Sequence, residues 1–175
     1  MKTLLRSLCL FIFVFQANFA VADGGYFFEE DDHGHAHTPH DGVLAAFTSP
    51  DGGAGNIELK LHDDKGDLEL WLTSQKKDQP YDLPLNAVLT VTFPELDNKA
   101  VNLQVRNTEK NEDEDGKTNI RGNKTNYFIF PGDTGADPSF LLGKEFSSKA
   151  VVSFSIDGKQ FRTEPFVLFP HTHAH

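Results

Sequence analysis

Two neighbouring stretches, "NIELKLH" and "DLELWLT", alternate apolar and polar residues with period two, and that alternation confines the chain to β-structure. Ile57, Leu59 and Leu61 fall on one face of the first stretch and Glu58, Lys60 and His62 on the other, while Leu68, Leu70 and Leu72 repeat the apolar row in the second. A helix would scatter these side chains around its circumference; a strand lines them up. The "DDKG" between the two reads as a tight hairpin. Similar runs recur as "AVLTVTF", "VNLQVRN", "NYFIF", "AVVSFSI" and "QFRTEPFVLF", and Asp157-Gly158 marks a second hairpin. With Pro, Gly and Asp as punctuation, the pattern predicts an all-β chain. The expected form is an antiparallel β-sandwich (immunoglobulin-like), or a barrel, of about eight strands with His-rich flexible tails. The one helical signal is a turn or two at "DPSFLLG", opened by Pro138 and closed by Gly143.

The ends of the chain follow other rules. "MKTLLRSLCLFIFVFQANFAVA" has the basic start, short apolar run and small-residue cleavage site of a secretory signal peptide, so residues 1–22 are expected to be removed. No later run approaches the roughly 20 apolar residues that a membrane span needs, so no membrane insertion is expected after cleavage. The mature chain is then periplasmic or secreted. The only cysteine, Cys9, lies in the signal, which leaves no disulfide and no thiolate metal site. Setting Lys2 and Arg6 aside leaves 14 basic against 26 acidic side chains, a formal charge of −12. Such a field repels nucleic acid and anionic membrane and attracts cations. The expected organisation is a flexible acidic His-rich arm over 23–41, a β-sandwich domain over 42–170 and a His-rich tail over 171–175.

Seven of the eight histidines sit in those two ends: His33, His35, His37 and His40 in "DDHGHAHTPHDG", and His171, His173 and His175 in "HTHAH". In an extended chain alternate side chains point the same way about 6.5–7 Å apart, so two imidazoles can converge on one ion. Neutral imidazole suits zinc or copper(II), and Asp41 adds an oxygen donor. With Met1 the only methionine and no mature cysteine, a soft copper(I) site has no ligands. His62 alternates outward on its strand and joins such a site only if the arm folds over that face. Because imidazole binds metal only when neutral, affinity falls as pH drops through about 6.5.

Other chemistries have weaker signals. "NEDEDGKTNIRG" places Asn111, Asp113 and Asp115 at the first, third and fifth positions of a calcium loop with Gly116 at the turn, but Gly122 stands where a bidentate Glu is required. A charged connection between strands is the simpler reading of that stretch. No nucleotide loop or nucleophile elbow is present, and the expectation is a protein that is not an enzyme. Trp71 and Tyr81, if exposed, would offer a sugar platform; packing against other structure is the alternative. An interaction module without metal, and a metalloenzyme with a fixed three-ligand site, stay open as rivals.

The segments "HAHTPHDGVLAAF", "ELKLHDDKGDLELWL", "VRNTEKNEDEDG", "TNYFIFPGDTGAD" and "EPFVLFPHTHAH" together resemble small exported His-rich proteins of Gram-negative bacteria associated with heavy-metal efflux of the resistance-nodulation-division type. His40-Asp41-Gly42 is similar to the His-Gly-Gly openings of some periplasmic adaptor subunits of those pumps, with Asp in the second position. The resemblance implies a divalent-metal buffer or carrier whose partner is an efflux adaptor or pump component.

Overall fold

The computed structural model describes residues 38–76 and 79–171. His33, His35, His37, His173, His175 and the expected signal peptide lie outside the described residues. Among the described residues twelve strands follow one another: β1 (Val43–Thr48), β2 (Ala54–Leu61), β3 (Leu68–Ser74), β4 (Leu83–Pro84), β5 (Leu89–Phe93), β6 (Lys99–Leu103), β7 (Ile120–Arg121), β8 (Lys124–Thr125), β9 (Tyr127–Phe130), β10 (Ser148–Ile156), β11 (Lys159–Thr163) and β12 (Phe166–Leu168). Helical structure is confined, among the described residues, to two short 3-10 turns, one of them at Ser139–Leu141 where Pro138 opens the expected helical signal. No helix among them is long and apolar enough to cross a membrane.

The expected all-β antiparallel fold is what forms, and its main sheet is nearly closed. The strands run in the order β6-β5-β10-β11-β1-β2-β3-β9, with β12 paired to β10 beside this path. Beyond the end of β6, Gln104 donates to Ile129 O at 3.0 Å and Ile129 donates back to Gln104 O at 2.8 Å, which joins the two ends of the path. Closure leaves the inward rows facing one another: Leu59 and Leu70 across β2 and β3, Val91 and Val152 across β5 and β10, all fully buried. Phe47 fills the middle, edge-on to Tyr81, Phe154 and Phe161 at 5.2, 5.1 and 5.8 Å between ring centroids. Its register partner is Gly55, where a Cβ would lie 2.4 Å from Phe47 Cζ and 2.5 Å from Thr73 O, so only glycine lets the ring lie against the backbone.

Local chemistry sets the turns. Asp157 and Gly158 both have positive φ, 49° and 79°, the two-residue loop whose twist suits an antiparallel hairpin. At the β2–β3 hairpin, Gly66 donates to His62 O at 2.8 Å and His62 donates to Asp67 O at 3.0 Å. Between β11 and β12, Pro165 lacks the N–H that would continue the ladder, and the register on β10 shifts there by one residue. Beyond β12 the chain returns to β2, where His171 N donates to Leu61 O at 3.1 Å. The long polar connection between β6 and β9 folds as well: β7 and β8 form a hairpin whose second strand pairs with β4.

Candidate metal centre

The outward row of β2, β3 and β9 is where polar chemistry collects. Glu58 and Lys60 point outward from β2, Glu69 and Trp71 from β3, and Tyr127 and Ile129 from β9, with Glu58 opposite Trp71 and Lys60 opposite Glu69. In an open antiparallel sheet this row would meet water. Here two covers bury it. Thr38–Gly42 folds back along β2, and the β6–β9 connection brings Glu114 onto Lys60 and His62. Trp71, Tyr127 and Ile129 form a second, small apolar cluster under these covers.

Burial obliges each polar group in the row to find a partner. Glu58 Oε1 accepts the backbone N–H groups of His40 at 2.8 Å and Gly42 at 3.0 Å, which clamps the arm. His40 then lies flat on Trp71, ring centroids 3.9 Å apart and planes 3° from parallel. Trp71 Nε1 is buried with no hydrogen-bond partner. Next along the row, His62 (8% exposed) donates from Nε2 to Glu69 Oε2 at 3.0 Å, and Glu114 Oε2 lies 3.5 Å from the same nitrogen. Glu69 is 1% exposed; its other oxygen accepts the Tyr127 hydroxyl, as Glu114 Oε1 accepts the Lys60 ammonium. His171 meets His62 edge-on at 4.7 Å between ring centroids, and its Nδ1 lies 3.0 Å from Leu61 O, so Nδ1 carries the proton.

Electrostatics fit this arrangement. Burial pushes the Glu69 carboxyl up, but the hydrogen bonds from His62 and Tyr127 and the charges of His62 and Lys60 outweigh it, leaving the group below its ordinary value. Burial, and then the Glu69 carboxylate, hold the Tyr127 phenol far above its ordinary range, so it stays a donor. Across the hairpin from His62, burial raises Asp67 despite the opposing charges of His62, Lys65 and Arg106.

His62 Nε2, one oxygen of Glu69 and one of Glu114 all lie within 4.8 Å of one another. Ligands about 2.0–2.1 Å from a tetrahedral or octahedral ion stand roughly 3.0–3.4 Å apart, close to the 3.0 and 3.5 Å found here. One nitrogen and two carboxylate oxygens suit zinc and its borderline neighbours, and leave room for a fourth ligand.

The structure brings some of the sequence-predicted residues together and separates others. His62 is the centre of the cluster, and the arm does fold over its face. His171 adjoins it. His40 and Asp41 belong to the clamped segment, but His40 is spent on Trp71. Glu69 and Glu114 escaped the sequence reading; the outward Trp71 and the unbroken apolar "YFIF" were the available signals that this face is covered. Trp71 is not an exposed platform: it is 3% exposed, between His40 and Tyr127, and Tyr81 packs against Phe47. In the acidic loop, Asn111 Oδ1 accepts Arg106 N–H at 2.9 Å, and Asp113 accepts Lys117 N–H at 2.9 Å and the Asn119 amide at 3.0 Å. These side chains close the connection on itself. No protein-family model matches the chain, and no curated protein or solved structure matches it either.

Proposed function

We propose that the protein is an exported binder of a divalent transition metal, held by His62, Glu69 and Glu114 and served by the histidine-rich segments on either side. The observation that carries this reading is the convergence on one strand: buried His62 and Glu69 meet the exposed Glu114 at the end of β2, the arm is clamped to Glu58, and the tail is tied to Leu61. Positions 58 and 62 are separated by about 13 Å of strand, short enough for tail imidazoles to take an ion from solvent and pass it to the fixed ligands. Zinc leads copper(II) as the cargo because two of the three fixed donors are carboxylates. The role is buffering the metal or handing it to an exported efflux adaptor or pump component.

Three protein ligands with a fourth position open also describe catalytic zinc sites, and this favours a metalloenzyme as the second reading. Against turnover stands the burial of two of the three donors, His62 and Glu69.

Calorimetric titration of the chain with zinc and then copper(II), beside His62→Ala and a variant with Ala at His171, His173 and His175, tests the proposal. Micromolar or tighter zinc binding that disappears in His62→Ala and weakens in the tail variant is expected. Binding that ignores His62 and depends on the tail alone refutes the fixed centre. Hydrolysis of activated esters by the zinc-loaded chain, lost with His62, would move the reading to the enzyme.

A further inference from the structure

Resting on that metal-binding reading, we infer that Tyr127 and Lys60 are positioning residues: they hold Glu69 and Glu114 as one-oxygen ligands and so set the centre for a small ion of the zinc class and against calcium. The two carboxylates are divided in the same way. Each turns Oε2 toward His62 Nε2, at 3.0 Å for Glu69 and 3.5 Å for Glu114. Each has Oε1 tied from behind, by the Tyr127 hydroxyl on Glu69 and by the Lys60 ammonium on Glu114. A carboxylate held by its far oxygen cannot swing to grip an ion with both. Calcium takes six to eight oxygens and depends on two-oxygen carboxylates, whereas zinc is satisfied by four ligands of mixed type.

Neither holding group has freedom to leave. Tyr127 is fully buried against Trp71. Lys60 is 5% exposed, lies opposite Glu69 on the neighbouring strand, and its ammonium pairs with Glu114. His62 is fixed by the hairpin, through its N–H to Asp67 O and its carbonyl from Gly66 N–H. Hydrogen bonds of this kind behind metal ligands orient them, and their loss typically costs 10- to 100-fold in metal affinity.

The test uses the full chain, Tyr127→Phe, Lys60→Met, Lys60→Arg and His62→Ala, each checked for fold by circular dichroism. Zinc affinity is read by competition with a chromophoric chelator, calcium affinity in parallel, and coordination by the visible bands of bound cobalt(II). Expected are intense four-coordinate cobalt bands in the wild type, and weaker bands of higher coordination in Tyr127→Phe as Glu69 turns to chelate. Zinc binding should fall about 10- to 100-fold in Tyr127→Phe and Lys60→Met, with calcium affinity unchanged or raised, and Lys60→Arg should recover most of the loss. A purely packing role for Tyr127 would change stability but leave the cobalt spectrum alone, and that result overturns the inference. So does tighter zinc binding in Lys60→Met, which would make the ammonium a competitor for Glu114. If the wild type binds zinc through His62 and the two positioning variants match it, only this inference falls; if His62→Ala matches the wild type, the metal centre falls with it.

Discussion

Replacing Glu58 with Ala removes the acceptor that holds the arm over the β2–β3 face, and the consequence can be sized. Glu58 Oε1 takes two backbone N–H groups, from His40 at 2.8 Å and Gly42 at 3.0 Å. Hydrogen bonds to an ionised group contribute about 1.5–3 kcal/mol each, so the pair contributes about 3–6 kcal/mol while the segment stays in place. Once the segment lifts, water satisfies both N–H groups and returns part of that. A net loss of about 2.7 kcal/mol corresponds to roughly a hundredfold rise in local opening. The readout is specific because Trp71 is the only tryptophan and lies directly beneath His40. Amide exchange at His40 and Gly42 should speed up about a hundredfold, and Trp71 emission should shift to the red and become open to quenchers. Exchange in β10, remote from the clamp, should not change. Glu58→Gln should fall between, since it keeps an acceptor without the charge. Unchanged protection at His40 together with unchanged Trp71 emission would refute the clamp.

Three further outcomes follow from packing and charge. Gly55→Ala places a methyl group 2.4 Å from Phe47 Cζ and 2.5 Å from Thr73 O; a stability loss of about 1–3 kcal/mol or more is expected in urea unfolding, and a midpoint equal to wild type would contradict the contact. Asn111 is fully buried at φ 47° and donates to Thr125 Oγ1 and Tyr127 O while accepting Arg106 N–H. Asn111→Ala leaves several of these groups unpaired and should cost about 3–5 kcal/mol, seen as early thermal unfolding, with Glu114 no longer held over His62. Glu69 titrates below its ordinary value of 4.5 in the folded chain, so its stabilising contribution is complete above that pH and is lost as pH falls through the native value. The stability gap between wild type and Glu69→Gln should therefore be full at neutral pH and close in acid; a gap that does not vary with pH would contradict the ion-paired assignment.

The inward rows were legible in the sequence because alternation fixes which side chains share a face, and Leu59, Leu61, Leu70 and Leu72 all fall inside as read. Turn chemistry was equally local: Asp157-Gly158 and the "DDKG" loop form where their residue types demand. What alternation does not reveal is whether the opposite face is also covered. Glu58, Lys60 and His62 read only as the face opposite the leucines, and they are buried because the arm and a connection from elsewhere in the chain fold over that face. Glu114 is separated from His62 by 52 positions and sits in a run of acids, so no local pattern distinguishes it from Glu112 or Asp115. The calcium-like spacing of Asn111 and Asp113 was a true signal for oxygens at a turn, but the loop's own N–H groups use them. Closure through Gln104 and Ile129 was invisible for the same reason as Glu114: it pairs segments that no hairpin joins.

The most direct test of the metal centre is an anomalous difference map, at the zinc edge, from crystals of the zinc-loaded chain. The account predicts a peak about 2.0–2.2 Å from the ligating atoms of His62, Glu69 and Glu114, with the Tyr127 hydroxyl still on the far oxygen of Glu69. Zinc found only among the tail histidines, with His62 still donating to Glu69, would contradict it.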